Sequence, residues 1–385
     1  MSGFGALPVI ERLVGFDSTS HRSNLDIIDY LRTELVALGA EIRLTYNDDR
    51  RKANLYATLG PTDRPGILLS GHTDVVPVAG QVWSSDPFRL TPRDGRYYGR
   101  GSADMKSFIG LCLALAPEFV AGGLVTPIHF AFSYDEEMGC IGVHRLIDDL
   151  VGLPVKPRLG IIGEPTGMKI VAGHKGKKGV ACDVHGLAGH SALARGVNAI
   201  EAAAEIVSHI RSMQRRLKRE GPFDAAYEPP YTTLHTGLVE GGRALNIVPD
   251  HCHFEFEIRA LPIDDSEALY QEIVEFSRHQ VEPEMKAVDA KSGVAFKVTT
   301  DTAGFDLQDD DPAVLFAGGL TGDNRTGRVS FGTEAGLFNR AGIPAVVCGP
   351  GFIDQAHKPD EFIAEDQLAK GEIFLRRLMA LVCKA

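Results

Sequence analysis

Three apolar runs of strand length, Gly66-Ile67-Leu68-Leu69, Ile128–Ser133 and Leu159–Gly163, each give way at the carboxyl end to a cluster of ionisable residues. The clusters are Ser70-Gly71-His72-Thr73-Asp74, Asp135-Glu136-Glu137 and Glu164-Pro165-Thr166. Short continuous apolar runs bounded by Gly and Pro read as strands buried on both faces, the habit of parallel sheets. Helical patterns alternate with them. One carries the stripe Leu25, Ile28, Leu31, Leu35 and Leu38 between a capping Ser23 and a stopping Gly39; another, Ser107–Val120, is apolar nearly all round. The expectation is an α/β fold built on a doubly wound, mostly parallel sheet, with its chemistry along the carboxyl edge.

The texture changes near Gly176-Lys177-Lys178-Gly179. From Val180 to about Ala287 apolar and polar residues alternate, as in Ala181-Cys182-Asp183-Val184-His185 and in His253 to Arg259, the pattern of a half-exposed antiparallel sheet. With helices over Val197–Leu217 and Asp265–Gln280, the order strand, helix, strand, strand, helix, strand predicts a ferredoxin-like α+β insert. Asp311–Leu320, Gly336–Ala341 and Ala345–Gly349 return to the first style. The expected division is a catalytic domain over residues 1–178 and 289–385, split by an inserted domain over 179–288. A chain of 385 residues, 44% apolar, has enough core for both.

Charge excludes some partners. A net charge of −11 disfavours nucleic acid and acidic membrane surfaces, and the basic run Arg211–Arg219 reads as the solvated face of an amphipathic helix. Met1–Ile10 lacks the pattern of a leader, and no stretch approaches the roughly 18 apolar residues of a membrane span. A cytoplasmic enzyme acting on a small molecule is expected. The six cysteines, without a Cys-x-x-Cys pair, read as reduced core residues. His251 and His253 share a strand face, have no third ligand near them in sequence, and read as surface histidines.

The residues that carry chemistry are His72, Asp74, Asp104, Glu136, Glu137, Glu164 and His357, each at a predicted strand end or in the loop beyond. Alternation along a strand sends His72 and Asp74 to the same side, so that Asp74 can take the second ring N–H of a metal-binding His72. Nitrogen and carboxylate donors without thiolate suit zinc, cobalt or manganese. Five ligands are too many for one tetrahedral ion. If one carboxylate bridges, each of two ions receives three protein ligands and keeps an open position. Two divalent cations, three carboxylates and one hydroxide then sum to zero charge. Adjacent Glu136 and Glu137 would point different ways on an extended chain, one to a metal and one to the attacking water.

Taken in order, the motifs around His72, Gly99-Arg100-Gly101-Ser102-Ala103-Asp104-Met105-Lys106, Asp135-Glu136-Glu137-Met138-Gly139, Gly163-Glu164-Pro165-Thr166 and Ala356-His357-Lys358-Pro359-Asp360-Glu361 resemble those of the aminoacylase and carboxypeptidase-G type dinuclear zinc amidohydrolases. The resemblance runs along essentially the whole chain. It implies Asp104 as the bridge, His72 and Glu164 on one ion, Glu137 and His357 on the other, Asp74 orienting His72, and Glu136 as general base. It also implies a cis peptide after Asp104, two Zn2+ ions with Co2+ as the alternative, and homodimerisation through the inserted lid domain.

The amide to be cleaved is read from the insert and one late loop. His185-Gly186-Leu187-Ala188-Gly189-His190-Ser191, Asn246-Ile247-Val248-Pro249 and Arg259 resemble the family's insert motifs, implying that Asn246 and Arg259 grip the substrate's α-carboxylate. His190 of one chain is expected to aim at the oxyanion in the site of its partner. Gly332-Thr333-Glu334-Ala335-Gly336 stands where relatives acting on succinyl-diaminopimelate carry Thr-Ser-Asp. The implied substrate is therefore N2-acetyl-L-ornithine, with N-succinyl-diaminopimelate or another N-acyl amino acid or dipeptide as the alternative. Glu334 is placed at the rim, beside the substrate's ammonium, with Thr333 next to it. Lys175, Lys177 and Lys178 read as a lysine-rich linker, attraction of an anionic substrate being the alternative.

Overall fold

The computed structural model describes residues 5–193 and 195–384; the first four residues of the Met1–Ile10 stretch lie outside them. The chain forms two compact units. One comprises Met1–Gly173, Phe305–Gly327 and Thr333–Ala385, the other His174–Gly304 and Arg328–Gly332.

The first unit is built on a mixed sheet. Its centre is four parallel strands in the order Ile128–Ser133, Ile67–His72, Leu159–Pro165, Ala345–Gly349. Ala53–Leu59 and Glu41–Tyr46 extend it antiparallel on one side, and Ile170–His174 on the other. The apolar run ahead of His72 is buried along its whole length, which is why it takes the centre. Register sets His72 beside Ser133, so the turns after both strands emerge together.

Successive residues of a strand face opposite ways. A Cβ on Gly71 would come 2.8 Å from Met105, at the head of the buried helix Lys106–Ala121, whereas its neighbour Ser70 donates to Glu334 at the head of Ala335–Arg340. Helical layers therefore cover both faces, the doubly wound arrangement. The peptide between Asp104 and Met105 is cis.

In the second unit four antiparallel strands lie in the order Thr233–Gly241, His251–Ala260, Gly176–His185, Gly293–Thr302. Their apolar face, with Cys182, Val184, Phe254 and Ile258, packs against Ile206, Ile210 and Met213 of the helix Ala199–Glu220 and against Ile273 and Met285. Numbered by sequence, the strand order is second, third, first, fourth, that of a ferredoxin-like unit. The boundaries differ from those expected. The second falls after Gly304 rather than 288, because Gly293–Thr302 completes this sheet by pairing with Gly176–His185. The first falls after Gly173 rather than 178 for the same reason.

Two further expectations change. Lys175 donates to the carbonyls of Pro229 and Tyr231, and Lys178 pairs with Asp301 and Glu267; both are buried, so neither is a free attractor for substrate. His251 and His253 do have an acidic neighbour, Asp183, opposite on the next strand, whose Oδ1 lies 3.0 Å from a ring nitrogen of each. Five of the six cysteines are buried. Among the described residues no helix is long and apolar enough to cross a membrane.

One buried titrating group gives a test of this fold. His129 is 4% exposed, its Nδ1 held by Tyr56 Oη at 2.8 Å and Thr58 Oγ1 at 2.9 Å, and burial pushes its pKa down to about 4. The unfolded chain, with an ordinary value near 6.5, binds this proton more readily. Stability present above that value is thus lost as pH falls through the window toward 4. Between pH 7 and 5 the wild-type chain should lose about 2 kcal/mol more than His129→Gln in denaturant titrations; equal losses would mean that His129 is solvated.

Candidate metal centre and active site

His72 closes its strand with Nε2 2.9 Å from Asp104 Oδ1 and 3.7 Å from Glu164 Oε1. The second oxygen of Asp104, Oδ2, lies 3.4 Å from His357 Nε2, which is itself 3.0 Å from Glu137 Oε2. Asp104 thus stands between two imidazoles with one oxygen toward each. Donor atoms of His72, Glu136 and Glu164 lie within 4.8 Å of one another, as do those of His72, Asp104 and Glu137. All five expected ligands and Glu136 come together in the first unit. His72, Asp104 and Glu164 are buried, while the side chain of His357 is 53% exposed at the mouth.

Each segment is shaped for its position. Glu164 is part of the strand Leu159–Pro165. Asp104 sits on the turn before Lys106–Ala121, where Gly101 has φ +80 and a Cβ would press on Val75 and Lys106. Glu136 and Glu137 are not on extended chain. They lie in a tight turn entered through Asp135 at φ 54, in which Gly139 and Cys140 donate back to the Glu136 carbonyl.

Asp74 acts differently from the expectation. His72 Nδ1 meets the backbone carbonyl of Asp74 at 2.9 Å, whereas the carboxylate is 3.7 Å away. That carboxylate accepts from the backbone N–H of Glu136 (3.1 Å) and Glu137 (3.3 Å) and from Ser20 Oγ (2.7 Å). One residue therefore fixes the ring with its main chain and the acidic turn with its side chain. Ser20 was not legible as a site residue, since nothing in its neighbourhood resembles a motif.

The electrostatics are those of carboxylates crowded out of water. Burial pushes Glu136 up to about 8; His72 pulls it down, and Glu137, Glu334 and Asp104 add to the rise. Burial likewise raises Glu164 and Glu137. Burial opposes the charged form of His72, but Asp104, Glu164 and Glu136 together hold it well above its usual value. Hydrogen bonds donated to the Asp104 and Glu137 carboxylates bring His357 to about 10. A cluster that must hold protons to be tolerated is one that divalent cations would stabilise. The imidazole and carboxylate donors, with a carboxylate placed to bridge, fit a dinuclear divalent-metal centre.

Of the remaining expected residues, Glu334 lies beside this cluster, near enough to raise Glu136, but beneath it and not at a rim. Thr333 and Glu334 belong to this unit, but each is 1% exposed. Thr333 Oγ1 accepts from Ala335 N, and the Glu334 carboxylate is shared by the hydroxyls of Ser70 and Ser133. Burial leaves Glu334 at about 7. It is a carboxylate within the sheet layers and not the rim residue expected for an ammonium. His190, Asn246 and Arg259 lie in the second unit. Gly189–His190 pairs with Ile247–Val248, and Ser191 N donates to the Asn246 carbonyl, so exposed His190 and Asn246 are neighbours. Arg259 lies on His251–Ala260, paired with Glu257 at 3.0 Å.

Residues 68–381 match peptidase family M20/M25/M40. The chain belongs to this family. It is 35% identical to the acetylornithine deacetylase of Myxococcus xanthus, over 97% of this chain and 96% of that one. In fold it is similar to an M20 family metallo-carboxypeptidase from Sulfolobus solfataricus, with a TM-score of 0.75, 18% identity and 98% and 99% of the two chains covered. It also resembles a dinuclear metal binding M20 peptidase of Bacillus subtilis, with a TM-score of 0.62, 16% identity and 98% of each chain covered. The protein is a hydrolytic enzyme of the M20 type.

Replacing Asp74 by Asn removes an acceptor from the turn of Glu136 and Glu137 while leaving the carbonyl that holds His72. The variant should lose roughly 10–100-fold in kcat with the 15N signal of the His72 ring unchanged. A shifted ring signal would return control of the imidazole to the carboxylate.

Proposed function

We propose that the enzyme hydrolyses the acetyl amide of N2-acetyl-L-ornithine to L-ornithine and acetate, a step of arginine biosynthesis, in the cytoplasm. The observation that carries this reading is the 35% identity to the Myxococcus xanthus acetylornithine deacetylase along nearly the whole of both chains. His72, Asp104 and Glu164 would hold one divalent ion, and Asp104, Glu137 and His357 the other, Zn2+ first and Co2+ as an accepted substitute. When bound, the ions polarise the acetyl carbonyl and acidify the attacking water.

The chain's own residues do the rest. Glu136 is half-buried, with its carboxylate within 4.8 Å of donor atoms of His72 and Glu164, and we assign it to the attacking water and not to an ion. It takes one proton of that water as the oxygen adds to the acetyl carbon. When the C–N bond breaks it returns the proton to the departing α-amine. Asn246 and Arg259 are assigned to the substrate's α-carboxylate, a task for which the planar fork of arginine is suited. His190 is assigned to the oxyanion in the site of a partner chain, within a homodimer formed through the inserted unit.

The test is an assay of the metal-loaded full chain on acetylornithine, succinyl-diaminopimelate and simple acetyl-amino acids. A higher kcat/KM for the succinylated substrate would move the enzyme to the alternative reading. Glu136→Gln should keep both ions and lose nearly all turnover, whereas Glu137→Gln should weaken ion binding; metal analysis showing the reverse would exchange their roles. Mixing His190→Ala with Glu136→Gln chains should restore up to one working site per mixed dimer. Persistent inactivity, with chain exchange verified by mass, would place every catalytic group within one chain.

A further inference from the structure

Glu361 follows the His357 segment and carries no role in the chemistry above, yet its carboxylate is 1% exposed and its hydrogen-bonding capacity is filled by one loop. Oε1 accepts from the backbone N–H of Ala103 at 2.9 Å and of Asp104 at 3.0 Å. Oε2 accepts from Gly101 N at 3.1 Å and from Arg100 Nη1 at 2.6 Å. The main chain is joined as well, Gly99 N donating to the Glu361 carbonyl at 2.9 Å. Arg100 extends the connection: Nη1 reaches the Lys358 carbonyl and Nη2 the side chain of Gln81, whose own amide donates to the His357 carbonyl at 3.2 Å.

We propose that Glu361 is the positioning residue of the bridging carboxylate, fixing the Arg100–Asp104 turn and the His357 segment as one piece so that Asp104 keeps one oxygen toward each histidine. The warrant is geometric. A carboxylate with two oxygens is the smallest group that can satisfy three convergent N–H donors and a guanidinium at once. The Asp104 backbone N–H is among those donors, so displacing Glu361 displaces the residue that both ions would share. Charged acceptors of backbone N–H groups are worth more than neutral ones, and a buried donor left unmatched bears its full desolvation cost. Glu361→Gln keeps the volume but turns an NH2 group toward donors and removes the charge facing Arg100.

This inference rests on Asp104 being a metal ligand, and the test separates the two ideas. Metal-free full-length wild type and Glu361→Gln are titrated with Co2+ by calorimetry at a temperature where both are folded, with visible spectra recorded and the Tm of each metal-free chain measured. The expected result is a 10–100-fold loss of Co2+ affinity in the variant and a changed cobalt spectrum. Glu361→Asp, which keeps the charge and withdraws it by one methylene, should recover part of the affinity and carries the test if the Gln variant does not fold. A lowered metal-free Tm with unchanged affinity and spectrum would reduce Glu361 to a structural residue and overturn the proposal. Uptake of a single ion by the wild type would refute the two-ion reading but leave the affinity ratio to decide the role of Glu361. No uptake at all would overturn both.

Discussion

The site depends on one carboxylate shared by two histidines. Asp104 lies between His72 and His357, which are far apart in sequence and come from a central strand and a late loop. A buried carboxylate is tolerated only when both its oxygens are matched. The molecule meets that condition by bringing five chain segments to the carboxyl edge of one sheet. The parallel centre makes this possible, since strands that run the same way deliver their terminal residues to the same edge. His72 and Ser133 are register partners, so His72 and the Glu136–Glu137 turn reach that edge together.

Support runs through main-chain groups more than side-chain pairs. Asp74 offers its carbonyl to the His72 ring and its carboxylate to the backbone of two glutamates, while Glu361 does for the Asp104 turn what Asp74 does for theirs. Outer partners of this kind orient ligands without touching the metal. Because they grip the backbone, they fix where the turn is and leave its side chains to the chemistry.

Much of this was legible in the sequence where pattern and chemistry coincide. The buried strands could be read from unbroken apolar runs, and the side chains that gather at one edge from ionisable clusters at strand ends. What escaped was whatever depends on contacts across the fold. Asp74 read as a side-chain partner of His72 because strand alternation was carried past His72, where the strand stops. Glu334 read as a rim residue because its loop resembles a recognition loop, but burial depends on the two serine-bearing strands beneath it. Asp183 was invisible as a neighbour of His251 and His253, since antiparallel register and not sequence distance sets it opposite them. The insert's second boundary falls later than expected because Gly293–Thr302 pairs with Gly176–His185, a partnership that sequence distance does not show.

The order of the ligands along the chain has a consequence for biosynthesis. His72, Asp104, Glu137 and Glu164 all precede the insertion, whereas His357 comes after it. The four residues ahead of the insertion are thus in place in the chain long before translation reaches His357. Until then one oxygen of Asp104 faces no imidazole, and Glu361 has not yet arrived to hold its turn. Assembly of the full cluster therefore waits on the segment that follows the insertion, and the two halves of the first unit share one site.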